Sequence, residues 1–134
     1  PVICEYLDSL HGAAKLFPAE PQARWTALCL QAIGDGICDA AINRRLDAGR
    51  PEAQQSAAWQ ERQKRAMARA CDLLEREAAD LEGPVTIGSI AVACALGYID
   101  LRFAADDWRQ GRPRLANWFE AFSKRRSIAE TAPQ

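Results

Sequence analysis

Asp35 and Asp39 stand four residues apart in a stretch with helical spacing. Both carboxylates therefore lie on one face, one turn apart, where they can meet a single cation. An ion pair with an arginine such as Arg44 or Arg102, or plain solvation, is the purely structural reading of the same two acids. Nothing else in the chain builds a sugar site, so the pair does not point to glycosidase chemistry. The five cysteines are Cys4, Cys29, Cys38, Cys71 and Cys94. Their number is odd, none forms a C-x-x-C pair, and all lie in segments that read as helical. That favours reduced thiols acting as small hydrophobes over a disulfide framework or a redox role. The one histidine, His11, and scattered cysteines give no convincing zinc set, so no metal is expected. His11 before Gly12 reads as the polar end of a short helix, where a cation suits the dipole.

The elements that must position these groups are bounded by composition. A chain of 134 residues, 49% hydrophobic and 26% charged, is one domain's worth of ordinary globular sequence. Seventeen Lys and Arg against 18 Asp and Glu give a net charge of −1, without the basic excess of a phosphate-binding protein, so no nucleic-acid partner is expected. The longest apolar run, Ile90 to Ile99, is too short to span a bilayer and reads as a buried core helix. No basic-then-apolar leader precedes it, and an intracellular, cytoplasmic location is expected.

No stretch alternates with period two, and every strong signal is helical, so the fold class is all-α. Val2 to His11 forms a short first helix with Val2, Ile3, Tyr6, Leu7 and Leu10 on one face. A helix this short is marginal alone and must lean on something. The expectation is that this chain is the tail end of a longer protein. Residues 13–21, with Pro18 and Pro21, read as a linker. A long helix from about Gln22 to Leu46 carries Trp25, Leu28, Cys29, Ala32, Ile33, Gly36, Ile37, Ala40 and Ala41 as a core stripe. Its second, mixed face holds Leu30, Gly34, Asp35, Cys38, Asp39 and Ile42. Gly34 and Gly36 each cost about 1 kcal/mol in a helix, and close approach of a backbone or ligand would be a reason to keep them. A third helix, about Gln54 to Glu82, presents Trp59, Ala66, Ala70, Leu74 and Leu81 inward, with Met67, Cys71, Leu73 and Ala78 as flanks. Its early arginines read as a solvated face, since no aromatics interleave with them. Thr86 reads as the N-cap of a central buried helix, about 86–101, with Val85 and Ile90 as a hydrophobic staple and Ser89 completing the cap. The body of that helix is apolar all round. A last helix follows Pro113, with Leu115, Trp118, Phe119 and Phe122 at core spacing and Lys124, Arg125 and Arg126 in its last turn.

These motifs, taken in order, resemble the glutathione transferases. Pro1-Val2-Ile3-Cys4-Glu5-Tyr6-Leu7-Asp8 resembles the segment just after the residues that hold the glutamyl end of glutathione. Lys15-Leu16-Phe17-Pro18 is similar to the interdomain linker. Thr86-Ile87-Gly88-Ser89 and the apolar run through Phe103 resemble the family's capped buried helix. Arg112-Pro113-Arg114-Leu115 with Trp118-Phe119 and Ser127 and Thr131 resemble the final helices. Ser89 stands where the family usually has aspartate, which implies a weaker cap. The resemblance implies a helical bundle of the glutathione transferase C-terminal domain type over 22–134. It also implies that 1–12 is the terminal helix of an N-terminal thioredoxin-like domain, which would bind glutathione and activate its thiol.

The resemblance further implies that this chain holds no catalytic residue and would supply the wall of the cleft for a small apolar electrophile, with glutathione as cosubstrate and a homodimer as the expected assembly; no membrane partner is expected. Gln31, Asp35, Asp39 and Ile42 are the candidates on the long helix, with the two acids expected to face a glutathione α-amino group of this subunit or of the neighbouring one. Phe103 and Trp108 are candidate caps of the electrophile pocket. Core packing is the stronger reading for Phe103, and Trp108 is expected to be the more exposed. Asp100 is expected to accept backbone hydrogen bonds in a folding role. The alternative function is a non-catalytic dimerisation or scaffold module of the same fold.

Overall fold

A computed structural model describes residues 1–132, and the end of the tail, 133–134, lies outside the described residues. The regular elements are helical: α1 (Val2–Ser9), α2 (Pro21–Ala48), α3 (Ala57–Arg76), α4 (Ile87–Phe103), α5 (Pro113–Ser123) and α6 (Arg126–Ala129). Short 3-10 turns lie at Glu52–Gln54, Ala78–Leu81 and Ala104–Asp106. No strand occurs among the described residues, and the chain is an all-α helical bundle.

α4 packs most extensively on α2, and α2 packs next on α3; α5 closes the bundle against α3, α4 and the turn at Ala78–Leu81. One core joins Leu30, Ile37 and Ala41 of α2, Met67, Cys71 and Leu74 of α3, Val92, Leu96 and Ile99 of α4, and Leu115 and Phe119 of α5. Each large aliphatic side chain in it contributes about 1.5–3 kcal/mol by leaving water. With its flanks, the run Ile87–Asp106 is apolar and long enough to cross a membrane by composition alone, which the Ile90 to Ile99 run is not. Of that stretch, 44% is buried in this bundle.

The caps explain where the helices begin. The Glu20 carboxylate accepts from the N–H groups of Gln22 and Ala23, at 2.9 and 2.6 Å, and Pro21 follows as the first helical residue of α2. At α4 the Thr86 hydroxyl accepts from Ser89 N–H at 3.3 Å, while Ser89 Oγ accepts from Thr86 N–H at 3.0 Å and donates to the Thr86 carbonyl at 2.9 Å. The capping box is complete with serine as its third helical residue.

Four readings of the elements change. The buried side of α2 is Ala27, Leu30, Gln31, Gly34, Ile37, Ala40 and Ala41, whereas Trp25 is 64% exposed and Cys29, Ala32 and Gly36 are also exposed. α3 ends at Arg76 and turns inward through Gln63, Met67, Cys71 and Leu74, while Trp59 is 41% exposed. α4 is not covered all round, since Cys94 is exposed and Ile90, Ala91 and Tyr98 are half-buried. The last helix breaks at Lys124–Arg125 and resumes as α6.

α1 keeps Val2, Ile3, Tyr6, Leu7 and Leu10 on its surface, all between 56% and 78% exposed. Polar contacts attach it instead. The buried Asp8 carboxylate accepts from the N–H groups of Leu16 and Phe17 at 3.0 and 3.2 Å. Lys15 donates to the Asp8 and His11 carbonyls, and Arg24 pairs with Glu5. Phe17 then anchors the linker against Ala27 and Ile87.

Candidate functional site

Close backbone contact between α2 and α4 sets the geometry of the candidate wall. A Cβ added to Gly34 would lie 2.7 Å from the Ala91 carbonyl carbon, and one added to Gly88 would lie 2.4 Å from the Ala27 oxygen. Close approach of another backbone is therefore the reason for glycine at position 34. Gly36 has open space around it and does not share that reason. Residue numbers rise together along the contact, so the two helices run parallel. One turn beyond Gly34 on α2 is Cys38; three residues beyond Ala91 on α4 is Cys94.

The α2 candidates spread along the edge of this contact. Gln31 is buried at 7% exposure, Cys38 is half-buried, and Asp35, Asp39 and Ile42 are exposed, Ile42 at 44%. Neither Asp35 nor Asp39 joins an ion pair among the described residues. Arg44, the counterion considered for them, is taken by Asp106 through both guanidinium arms. Burial pushes the Cys38 thiol up, and Cys94, Asp35 and Asp39 add to the shift in that order. Of the five free cysteines only Cys71 is fully buried, where the thiol is pushed up to about 11, mainly by desolvation. Cys4, Cys29 and Cys94 are exposed, so most of these thiols are not core hydrophobes.

Phe103 is half-buried against the main core, with the Arg44 guanidinium 4.3 Å from its ring centroid. Burial raises the Asp106 carboxyl pKa, but Arg44 and Lys64, the latter 3.2 Å away, outweigh it and hold the group below the usual carboxylate range. Trp108 departs from its expected exposure. It is buried at 5%, edge-on to Phe119, and donates its indole N–H to Asp100 at 2.7 Å. Asp100 also accepts both arms of Arg109, at 2.6 and 2.7 Å. Its partners are thus side chains rather than backbone N–H groups. Trp108 borders a cavity of about 50 Å³ with Lys64, Met67, Cys71, Asp106 and Arg112, a space for water rather than for an electrophile. Among the described residues no group of His, Cys, Asp or Glu is placed to hold a metal ion.

The Glutathione S-transferase, C-terminal domain family matches residues 57–121. An Escherichia coli (strain K12) protein, the uncharacterized GST-like protein YibF, is 34% identical over 136 residues, covering 99% of this chain and 67% of that protein. The chain belongs to the glutathione S-transferase family. A glutathione transferase family member from Pseudomonas fluorescens Pf-5, solved with bound S-(propanoic acid)-glutathione, is 40% identical with a TM-score of 0.95. The match covers 99% of this chain and 69% of that one. A glutathione S-transferase from Methylobacillus flagellatus KT, solved with glutathione bound, is 33% identical with a TM-score of 0.92, over 98% of this chain and 67% of that one.

Within this glutathione S-transferase domain, the fold uses acids that sequence reading passed over. Asp47, at the end of α2, accepts from Ser56 N–H at 2.9 Å and from Gln60 Nε2 at 3.0 Å, tying α2 to the start of α3. Glu75 accepts from the N–H groups of Arg114 and Leu115 at 3.2 and 2.7 Å, capping α5 from α3. Arg112 bridges Asp72 and the Trp108 carbonyl. Asp8 had a local signal, an acid closing a short helix before the Lys15-Leu16-Phe17-Pro18 linker. Glu75 had none, since its partners lie about 40 residues away.

Proposed function

We propose that this chain is the helical half of a two-domain, cytoplasmic glutathione transferase, in which it forms the wall that receives an apolar electrophile and the surface for homodimer formation. The observation that carries the reading is the open edge of α2, where two exposed acids without ion-pair partners stand beside an exposed Ile42. The fold matches a relative that binds a glutathione thioether. On this reading residues 1–12 belong to a thioredoxin-like domain, 13–21 link it, and 22–134 form the helical domain. The bare apolar face of α1 supports that division, because five large side chains in water are normally covered by a neighbour.

The chemistry is displacement at carbon. The glutathione thiol loses its proton, aided by hydrogen-bond donors of the other domain, and the sulfur lone pair attacks the electrophilic carbon as the leaving group departs. The residues of this chain bind and orient. Asp35 and Asp39 meet the α-amino cation of glutathione, and Ile42 and Phe103 offer apolar surface to the electrophile. Trp108, which is sequestered behind Asp100, is not part of that wall.

The test uses the full-length protein with glutathione and a chlorinated dinitrobenzene. Thioether formation above the uncatalysed rate, with retention on glutathione resin, is the expected result. No turnover and no retention would overturn the enzyme reading in favour of a dimerisation or scaffold module of the same fold.

A further inference from the structure

Two thiols that the transferase reading leaves idle lie on the two helices joined by the close backbone contact at Gly34 and Gly88, Cys38 on α2 and Cys94 on α4. Gly34 sits within van der Waals overlap of the Ala91–Val92 peptide for any added Cβ, and Gly88 does the same against Ala27 and Leu30. These two contacts fix a parallel register, in which Cys38 follows Gly34 by four residues on α2 and Cys94 follows Ala91 by three on α4, near enough for Cys94 to act on the Cys38 thiol. Cys94 is exposed and Cys38 half-buried; both are free thiols. Helices whose backbones touch bring side chains in the next turn toward the few ångströms that a disulfide spans.

We propose that Cys38 and Cys94 form a dithiol that closes reversibly to an intramolecular disulfide across the α2–α4 contact. The oxidant is a small disulfide such as glutathione disulfide. The exposed Cys94 thiolate attacks one sulfur of glutathione disulfide, giving a mixed disulfide and releasing one glutathione thiolate. The Cys38 thiolate then attacks the Cys94 sulfur and expels the second. In sum two protein thiols and one glutathione disulfide become one protein disulfide and two glutathione molecules. Two electrons pass to the glutathione pair, and the two thiol protons go with them. Desolvation at the helix contact pushes both thiols up, the half-buried Cys38 and the part of Cys94 that lies against it, which lowers their thiolate fraction and makes closure slow without an excess of oxidant. The closed bond would bind α2 to α4 beside Asp35 and Asp39. The inference goes beyond the transferase reading and stands without it, because it is judged by mass and not by turnover.

The experiment takes the full-length protein, fully reduced, exposes it to glutathione disulfide, blocks remaining thiols and maps the peptides by mass. The expected product joins the Cys38 peptide to the Cys94 peptide, lighter by two hydrogen atoms, and excess glutathione reopens it. In Cys38→Ser, a change of little volume, Cys94 is expected to stop at the mixed disulfide with glutathione. Wild-type protein that carries glutathione on Cys94 while Cys38 stays open to alkylation would overturn the proposal. So would protein in which both thiols stay free, or in which either pairs with Cys4 or Cys29 instead.

Discussion

The Trp108 indole donates to Asp100 at 2.7 Å, and through that carboxylate the loop between α4 and α5 is fastened to the end of α4. Arg109 lies over the Trp108 ring, 4.3 Å from its centroid, and shares the same acceptor. Asp100→Ala leaves a buried N–H without a partner and removes the counterion of Arg109. It is expected to cost about 2–3 kcal/mol of unfolding free energy. Asp100→Asn keeps an acceptor for the indole and is expected to lose about half as much, because the exposed Arg109 pair is screened. Urea unfolding followed by tryptophan fluorescence measures both, and an Asp100→Ala variant of unchanged midpoint would contradict the assignment.

Gly34 and Gly36 are two residues apart in one helix, yet alanine is expected to act with opposite sign at each. At Gly34 the new methyl would lie 2.7, 2.8 and 2.9 Å from backbone atoms of Ala91 and Val92, which cannot move aside without separating α2 from α4. The expected loss is about 2 kcal/mol or more. At Gly36 nothing lies within 4 Å, and the gain in helix propensity is expected to add about 0.5–1 kcal/mol. Thermal unfolding of the two variants side by side checks this. A loss at Gly36 would mean that this face of α2 is covered in the assembled protein.

Acid should loosen the attachments of α1 and of the α2–α3 turn first. Hydrogen bonds from Leu16 and then Phe17 hold the Asp8 carboxyl below its ordinary value, with Lys15 and His11 adding to the effect against desolvation. The Ser56 N–H and then the Gln60 amide do the same for Asp47. Both groups bind a proton more weakly folded than unfolded. Their contribution is therefore complete above the unfolded carboxylate pKa, about 4, and is lost as pH falls through the lower folded values. Asp8→Asn and Asp47→Asn are expected to lower stability at neutral pH and to flatten its decline below about pH 4. A midpoint series from pH 7 to pH 2 reads the slopes; parallel curves for wild type and variants would refute the linkage.

Helix order, the all-α class and the cap at Thr86 were legible in the sequence because each rests on local chemistry. The cap needs only residues 86 to 89, and the apolar run after it has no competing period. The rotational phase of α2 was not legible. Ala, Gly and Cys recur on more than one side of it, so the spacing that selected Trp25, Cys29 and Gly36 is as regular as the buried one. The phase is decided by Gly34 meeting Ala91, a contact with a partner 57 residues on that no period in α2 encodes. Trp108 was misplaced for a related reason. Its neighbours Asp106 and Asp107 suggest a wet surface, whereas its own partner, Asp100, sits on the preceding helix. The candidate acids fared differently, since i, i+4 spacing alone puts Asp35 and Asp39 on one side of α2.

Those two acids offer the sharpest test of the proposed wall. They are exposed and without ion-pair partners among the described residues, so removing their charge should not disturb the fold. A carboxylate without a counterion on a helix edge is available to an ammonium ligand, and one charge-assisted hydrogen bond is worth about 1.5–3 kcal/mol. The double variant Asp35→Asn with Asp39→Asn, in the full-length protein, is expected to raise the Kd for glutathione about tenfold or more, equivalent to about 1.4 kcal/mol. Titration calorimetry against glutathione and against S-methylglutathione should show the same loss, because both carry the α-amino group. A des-amino glutathione should bind wild type and variant alike. Equal affinity of the two proteins for glutathione itself would make Asp35 and Asp39 solvated surface acids and leave α2 without a polar role in the cleft.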